Sequence, residues 1–244
     1  MAETVSVVLP LFREGASVLG TLEAVRAFAA KEERFEFIFV DDGSGDDTAA
    51  LIEGALKERP HDRIHLAVLE QNRGKGAAVA RGFALATGQR WIFTDGDLAY
   101  PLTDLLRLDK ALDQADIAIG TRSDRDGGAR AATLRRRVLG EGFNLLVRIV
   151  LGLSHADTQA GIKGFRREAA ETLFRQRQVD GFAFDVELLF LAKRLALQVA
   201  EVPVRPREEH VYKKSKLKLF KDSVEMLRQV ATIRGNAFGG RYCG

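Results

Sequence analysis

Short apolar runs alternate along the first half of the chain with longer stretches of helical spacing. Residues 5–9, rich in β-branched side chains and closed by Pro10, predict a first strand. Residues 16–30 place Val18, Leu19, Leu22, Val25 and Ala29 on one face of a helix. Residues 35–40 predict a second strand, running into Asp41-Asp42-Gly43-Ser44. A helix follows to Lys57, with Asp46 or Asp47 as its cap. Residues 64–69 predict a third strand, and Asn72-Arg73-Gly74-Lys75-Gly76 opens a helix to Ala86. Residues 91–93 predict a fourth strand, ending in Asp95-Gly96-Asp97. A helix over 102–112 follows Pro101, and residues 116–120 predict a fifth strand.

This alternation predicts an α/β fold: a mostly parallel, Rossmann-like sheet covered by helices on both faces. Ligands of such sheets bind beyond the carboxyl ends of the strands. Asp41–Ser44, Asn72–Gly76 and Asp95–Asp97 all follow predicted strands, so they converge on one edge. The second half is less regular. Residues 123–133 read as a loop, 134–153 as a helix with an apolar face and 161–165 as an edge strand. Residues 184–195 read as an apolar helix carrying Asp185 and Glu187. Residues 198–204 contain Pro203 and read as an edge strand. A last amphipathic helix spans 217–233. The expected organisation is one domain over 1–216 and a C-terminal helix and tail over 217–244.

Composition fits a globular protein: 46% of the 244 residues are hydrophobic and 29% charged. Cys243 is the only cysteine, so no internal disulfide forms and a reducing, cytoplasmic setting is expected. The opening residues lack the pattern of a signal peptide. No apolar stretch approaches the roughly 20 residues that span a bilayer. The net charge of +3 is unevenly placed, with Arg135-Arg136-Arg137 and the lysines between 213 and 221 in the second half. That asymmetry predicts an anionic partner. A mild basic excess without interleaved aromatics argues against nucleic acid.

The motifs carry the chemistry. In Asp95-Gly96-Asp97 two carboxylates sit one residue apart at a strand tip. Buried carboxylates are costly unless paired or holding a metal, and hard divalent cations take oxygen ligands. An acidic surface turn is the plain alternative. Asp42 can accept N–H bonds from a nucleobase. Asn72–Gly76 reads as a phosphate cradle of backbone N–H groups with Lys75 as a point charge. It lacks the spacing and the hydroxyl residue of a Walker A loop. Its alternative is a helix N-terminus with a solvated lysine.

Taken together, these residues resemble a family. Pro10 with Glu14, Asp41-Asp42-Gly43-Ser44, Asn72–Gly76 and Asp95-Gly96-Asp97 occur in the order found in inverting, nucleotide-sugar-dependent glycosyltransferases of family two, which have the GT-A fold. Asp157-Thr158-Gln159-Ala160-Gly161-Ile162-Lys163-Gly164-Phe165 is similar to the DTQCGFKLF segment of dolichyl-phosphate glucosyltransferases. Phe182-Ala183-Phe184-Asp185-Val186-Glu187-Leu188-Leu189 is similar to their WAFDVELL, and Ser215-Lys216-Leu217 to their SKL. The chain departs from the pattern at Arg13, where the family usually has Asn, at Ala160, where it has Cys, and around His210. It also lacks the membrane-spanning helices of many relatives.

The resemblance implies a nucleotide-sugar donor, UDP-glucose first, and a polyprenyl phosphate acceptor. Asp42 would read the base, with Pro10 and Glu14 shaping the nucleoside pocket. Lys75, Asp95 and Gly96 would complete the donor site. Asp97, with Asp95 facing it or the ribose, would ligate Mg²⁺ or Mn²⁺. Arg122, Arg136, Ser215 and Lys216 would gather the acceptor phosphate. Asp97, Asp185 and Arg122 form the expected catalytic set, with Asp185 orienting cations rather than acting as a base. GDP-mannose as donor and a hydroxyl group as acceptor are the alternative readings. A non-catalytic nucleotide-sugar-binding subunit is a third. The helices over 134–153 and 217–233 are expected to lie on the cytoplasmic membrane surface. Packing on the sheet, a homodimer interface or contact with a membrane-protein partner are the alternatives.

Overall fold

β-Branched and aromatic residues, alternating between two buried faces, build a central sheet in this protein. The computed structural model describes residues 3–122, 146–155, 157–158, 160–181, 183–207 and 219–242, with the backbone alone over 219–224. Seven strands are found among them: β1 (Val5–Leu11), β2 (Phe35–Asp41), β3 (Ile64–Val68), β4 (Arg90–Thr94), β5 (Ile117–Arg122), β6 (Ile162–Arg166) and β7 (Val199–Val204). Their order is β3-β2-β1-β4-β6-β5-β7. β3, β2, β1 and β4 run parallel, as do β5 and β7. β6 alone is antiparallel to both of its neighbours.

The helices are α1 (Val18–Ala29), α2 (Thr48–Glu58), α3 (Lys75–Phe83), α4 (Thr103–Ala111), α5 (Arg167–Gln176), α6 (Phe184–Arg194) and α7 (Leu219–Phe238). One core lies under α3, α5 and α6 and contains Val8, Val40, Phe83, Phe93, Phe165 and Phe184. The other lies under α1, α2 and α4 and contains Val7, Leu9, Phe37, Phe39, Ile92 and Leu105. Adjacent residues such as Val7 and Val8, or Ile92 and Phe93, enter opposite cores, as the two-residue repeat of a strand requires.

Two expectations are corrected. Residues 161–165 do not form an edge strand: β6 lies inside the sheet, with Phe93 opposite Lys163 and Ile119 on its other side. The polar look of Lys163 and the bare Gly164 hid a strand buried on both faces. Helix α5 was not anticipated, because Arg167 follows Arg166 of β6 with no turn residue between them. The expected edge position of β7 is found. The loop over 123–133 and most of the helix over 134–153 lie outside the described residues; the helical turn at 146–151 lies within them. Asp46, not Asp47, meets the start of α2: its Oδ1 accepts the Thr48 N–H at 3.1 Å.

The inner face of α7 belongs to the core. Val230 and Ile233 are buried in the same cluster as α6, and so is Tyr242 beyond the helix. The Tyr242 hydroxyl donates to Glu187 at 2.6 Å, and the same carboxylate accepts the N–H groups of Gln178 and Val179, each at 2.9 Å. No helix among the described residues is long and apolar enough to cross a membrane.

Candidate active site

Strands β1, β2 and β4 end side by side, and their exit loops build one half of the site. Where β2 stops, Asp42 is 3% exposed and its carboxylate collects the Arg73 N–H at 2.8 Å, the Gly74 N–H at 2.8 Å and the Asn72 amide at 2.9 Å. Burial raises the Asp42 pKa, and the N–H groups of Arg73 and Gly74 act against that rise. Gly74 takes a φ of 100°, which its lack of Cβ permits. The Gly76 and Ala77 N–H groups point instead at the Asp180 carbonyl, at 2.8 and 3.3 Å. The expected phosphate cradle is therefore not formed by these amides: Asp42 and Asp180 already take them. What remains of that motif is Lys75, at the start of α3.

Arg13 adopts a φ of 55°, in the left-handed region. Asn tolerates that region better than other side chains do, which accounts physically for the amide usual in the family there. In this chain the Arg13 N–H is held by the Ser44 hydroxyl at 2.8 Å. Glu14 accepts the Ser17 hydroxyl at 2.8 Å and gives its own N–H to Thr48 at 2.9 Å. Pro10 meets the acidic turn through its carbonyl: a Cβ on Gly96 would lie 2.6 Å from it.

The acidic turn is held by the residue that leads into β6. The Asp95 N–H donates to the Gly161 carbonyl at 3.0 Å, and the Ala99 N–H donates to Asp97 Oδ1 at 3.2 Å. From Asp95 a line of alternating charges runs inward. Lys75 Nζ lies 2.8 Å from Asp95 Oδ1 and 3.9 Å from Asp185 Oδ2. Lys163 Nζ lies 3.0 Å from Asp185 Oδ1 and donates to the Ala160 carbonyl at 2.7 Å. Both ammonium groups sit on an aromatic floor: Lys75 Nζ is 5.4 Å and Lys163 Nζ 5.7 Å from the centre of the Phe93 ring. Asp185 occupies the first turn of α6, where the helix dipole favours a negative charge. Burial pushes the Lys163 pKa down against the pull of Asp185, whereas Asp95 and Asp185 outweigh burial and raise that of Lys75.

Beside this line, Arg122 at the end of β5 is gripped by Asp157. Its Nε meets Oδ2 at 2.6 Å, and a second nitrogen meets Oδ1 at 3.0 Å. Tyr100, in the segment that follows β4, is buried. Burial raises its pKa to about 12, with Arg122 opposing the rise and Asp95 and Asp157 adding to it.

The structure thus brings Lys75, Asp95 and Asp185 into contact, and Arg122, at the end of β5, stands on the same edge of the sheet. Arg136, Ser215 and Lys216 lie outside the described residues. Sequence reasoning missed roles for Lys163, Tyr100 and Asp157. A lysine followed by glycine in an otherwise apolar segment was the one available signal for Lys163. Among the described residues no group of three or more His, Cys, Asp or Glu converges on one point. Asp95 and Asp97 nonetheless fit a hard cation that takes its other ligands from phosphate and water, as Mg²⁺ does.

The family model for glycosyl transferase family 2 matches residues 6–174. The dolichyl-phosphate β-glucosyltransferase of Dictyostelium discoideum is 34% identical over 243 residues, covering 94% of this chain and 73% of that one. The enzyme of the same name from Saccharomyces cerevisiae is 32% identical over 248 residues, with the same coverage of 94% and 73%. Among solved structures, glucosyl-3-phosphoglycerate synthase from Mycobacterium tuberculosis in complex with UDP superposes with a TM-score of 0.69 at 22% identity, over 96% of this chain and 81% of that one. A mannosyltransferase from Pyrobaculum calidifontis in complex with GDP-Man and Mn²⁺ gives 0.67 at 18% identity, over 95% and 64%. The fold is the expected GT-A arrangement. Motif order, sheet and sequence likeness agree: this chain is a glycosyltransferase and belongs to glycosyl transferase family 2.

Proposed function

We propose that the protein transfers glucose from UDP-glucose, with inversion, to a polyprenyl phosphate. The observation that carries this reading is the set of charges at the sheet edge, Lys75 and Asp95 on one side and Arg122 with Asp157 on the other. In it an acidic turn for a metal-bound diphosphate would share the sheet edge with a clamped guanidinium for a second anion. The likeness to dolichyl-phosphate β-glucosyltransferases over 94% of the chain supports sugar and acceptor alike.

Asp42 and its loop would receive the base, with Pro10, Glu14 and Gly96 shaping the nucleoside and ribose pocket. Asp95 and Asp97 would hold Mg²⁺ or Mn²⁺, which when bound offsets the charge gathering on departing UDP. The Lys75 ammonium lies beside the same carboxylate and would add a positive charge next to the diphosphate. An acceptor phosphate is already largely dianionic at neutral pH. Its oxygen forms the new bond to the anomeric carbon as the bond to the UDP oxygen breaks, and no proton has to be removed. Bringing two anions together is then the main obstacle. Arg122, with Arg136, Ser215 and Lys216, would meet it. Asp185, ion-paired with two lysines, is placed to orient cations.

Leu146, Ile149 and Val150 are exposed on one helical turn and offer a contact for the lipid surface at the cytoplasmic face of a membrane. Flotation with anionic vesicles tests that contact, and no binding at low salt counts against it. The reaction itself is tested with labelled UDP- and GDP-sugars, a polyprenyl phosphate and a hydroxyl acceptor, with and without divalent metal. Metal-dependent glucosyl transfer from UDP-glucose to the phosphate is expected. Transfer only from GDP-mannose, or only to the hydroxyl acceptor, would overturn the reading.

A further inference from the structure

Lys163 is fully buried in the middle of an interior strand, with β4 on one side and β5 on the other. Its strand-mate on the same face, Phe165, packs in an aromatic cluster with Phe83, Phe93 and Phe174. An apolar side chain of similar length would suit that place, and exchanging a buried ion pair for apolar packing is often neutral or stabilising. Stability therefore does not account for the ammonium. Its acidic neighbour is Asp185, at 3.0 Å, with the Ala160 carbonyl completing its shell at 2.7 Å. Because that second contact is to backbone, it does not depend on whether residue 160 is Ala or Cys.

Asp185 stands between two lysines. Lys163 is in close contact with Oδ1, whereas Lys75 is 3.9 Å from Oδ2 and closer, at 2.8 Å, to Asp95. Among the described residues, a buried Asp185 carboxylate without Lys163 would keep Lys75 as its ion-pair partner and would draw it inward. We propose that Lys163 is a positioning residue: by offsetting the charge of Asp185 it leaves Lys75 at Asp95, where the donor diphosphate is received. This deepens the donor-site reading and rests on it.

The test is a double-mutant cycle of Lys163→Met and Asp185→Asn, read by calorimetry with UDP and Mn²⁺ as the probe and by turnover. Lys163→Met is expected to weaken UDP·Mn²⁺ binding about tenfold, within the range that directly coupled residues show. In the Asp185→Asn background, with no carboxylate to capture Lys75, the same change is expected to have no further effect. The double variant should also melt no lower than Asp185→Asn alone, since it relieves a buried unpaired lysine. Wild-type affinity in folded Lys163→Met, or losses that multiply across the cycle, would overturn the proposal. Lys163→Gln serves if the methionine variant does not fold. If neither single variant folds, the double variant decides: folding supports the coupling, and failure to fold sinks it. Wild-type protein that binds UDP·Mn²⁺ but glucosylates no polyprenyl phosphate would remove the acceptor reading and leave this cycle intact. Wild-type protein that binds no UDP·Mn²⁺ would remove both.

Discussion

Gly161 lies directly against the Asp95 carboxylate: a Cβ at Gly161 would fall 1.9 Å from Asp95 Oδ2. The Gly161 carbonyl also holds the Asp95 N–H, so one residue of β6's entry fixes both the backbone and the side chain of the acidic turn. Gly161→Ala must displace the carboxylate. A misplacement of about 1 Å near a reacting centre costs on the order of a hundredfold in rate. Steady-state kinetics should show that loss in kcat/KM, while thermal unfolding moves by only a few degrees.

Asp157 determines where Arg122 points. Its carboxylate takes two guanidinium contacts and the Arg122 backbone N–H at 3.2 Å. Asp157→Asn removes the charge and leaves Arg122 loosely held. Charge-assisted hydrogen bonds of this kind contribute roughly 1.5–3 kcal/mol, so the acceptor KM should rise about tenfold or more. The donor KM should stay nearly constant, and varying each substrate in turn checks the split.

Asp42 joins β2 to the loop before α3. Asp42→Asn would set an amide N–H against the donors of Asn72, Arg73 or Gly74. A lost buried acceptor costs about 1–3 kcal/mol. Denaturant titration should register that cost, and calorimetry should show UDP binding weakened in the same variant.

Tyr100 predicts behaviour in alkali. Its pKa rises from an ordinary 10.0 to about 12 on burial. The unfolded phenol therefore loses its proton first, and the stability it contributes is complete below pH 10 and lost as the pH climbs through about 12. Two units correspond to roughly 2–3 kcal/mol. Tyr100→Phe should flatten the decline in unfolding free energy between those limits. Tyr242 is also raised, by burial and then by Glu187, but it is present in both proteins and cancels in the comparison.

The first half of the fold was legible because each strand, turn and helix left a local mark. Val8 and Val40, or Phe37 and Phe39, announce their strands by apolar runs, and Gly74 and Gly96 announce the turns. Candidate residues at strand ends followed from that reading, and Lys75 and Asp95 do meet; Asp185, on a helix of the second half and named from the resemblance, joins them. What was hidden is non-local. Nothing near Ile162 says that its strand runs backwards between β4 and β5, because pairing such as Trp91 with Phe165 is decided across the whole fold. The direction of the Gly76 and Ala77 amides depends on Asp180, far along the chain, so a motif read as a ligand cradle became an internal joint. The burial of Lys163 was not legible, because only the enclosing strands reveal that water does not reach it.

The reversed course of β6 inverts the usual rule for where sequence variation is tolerated. Along the parallel strands, segments that follow a strand reach the chemistry and segments that precede it sit on the opposite rim. At β6 the polarity is exchanged: Asp157 and Gly161 arrive at the charged edge before the strand starts, whereas Arg166 and Arg167 leave it beside Asp116 and Gln89 at the far side. Extra residues spliced in ahead of Ile162 should therefore silence the enzyme, while a splice beyond Arg166 would act on the distal rim and on the packing of α5, away from the charged edge.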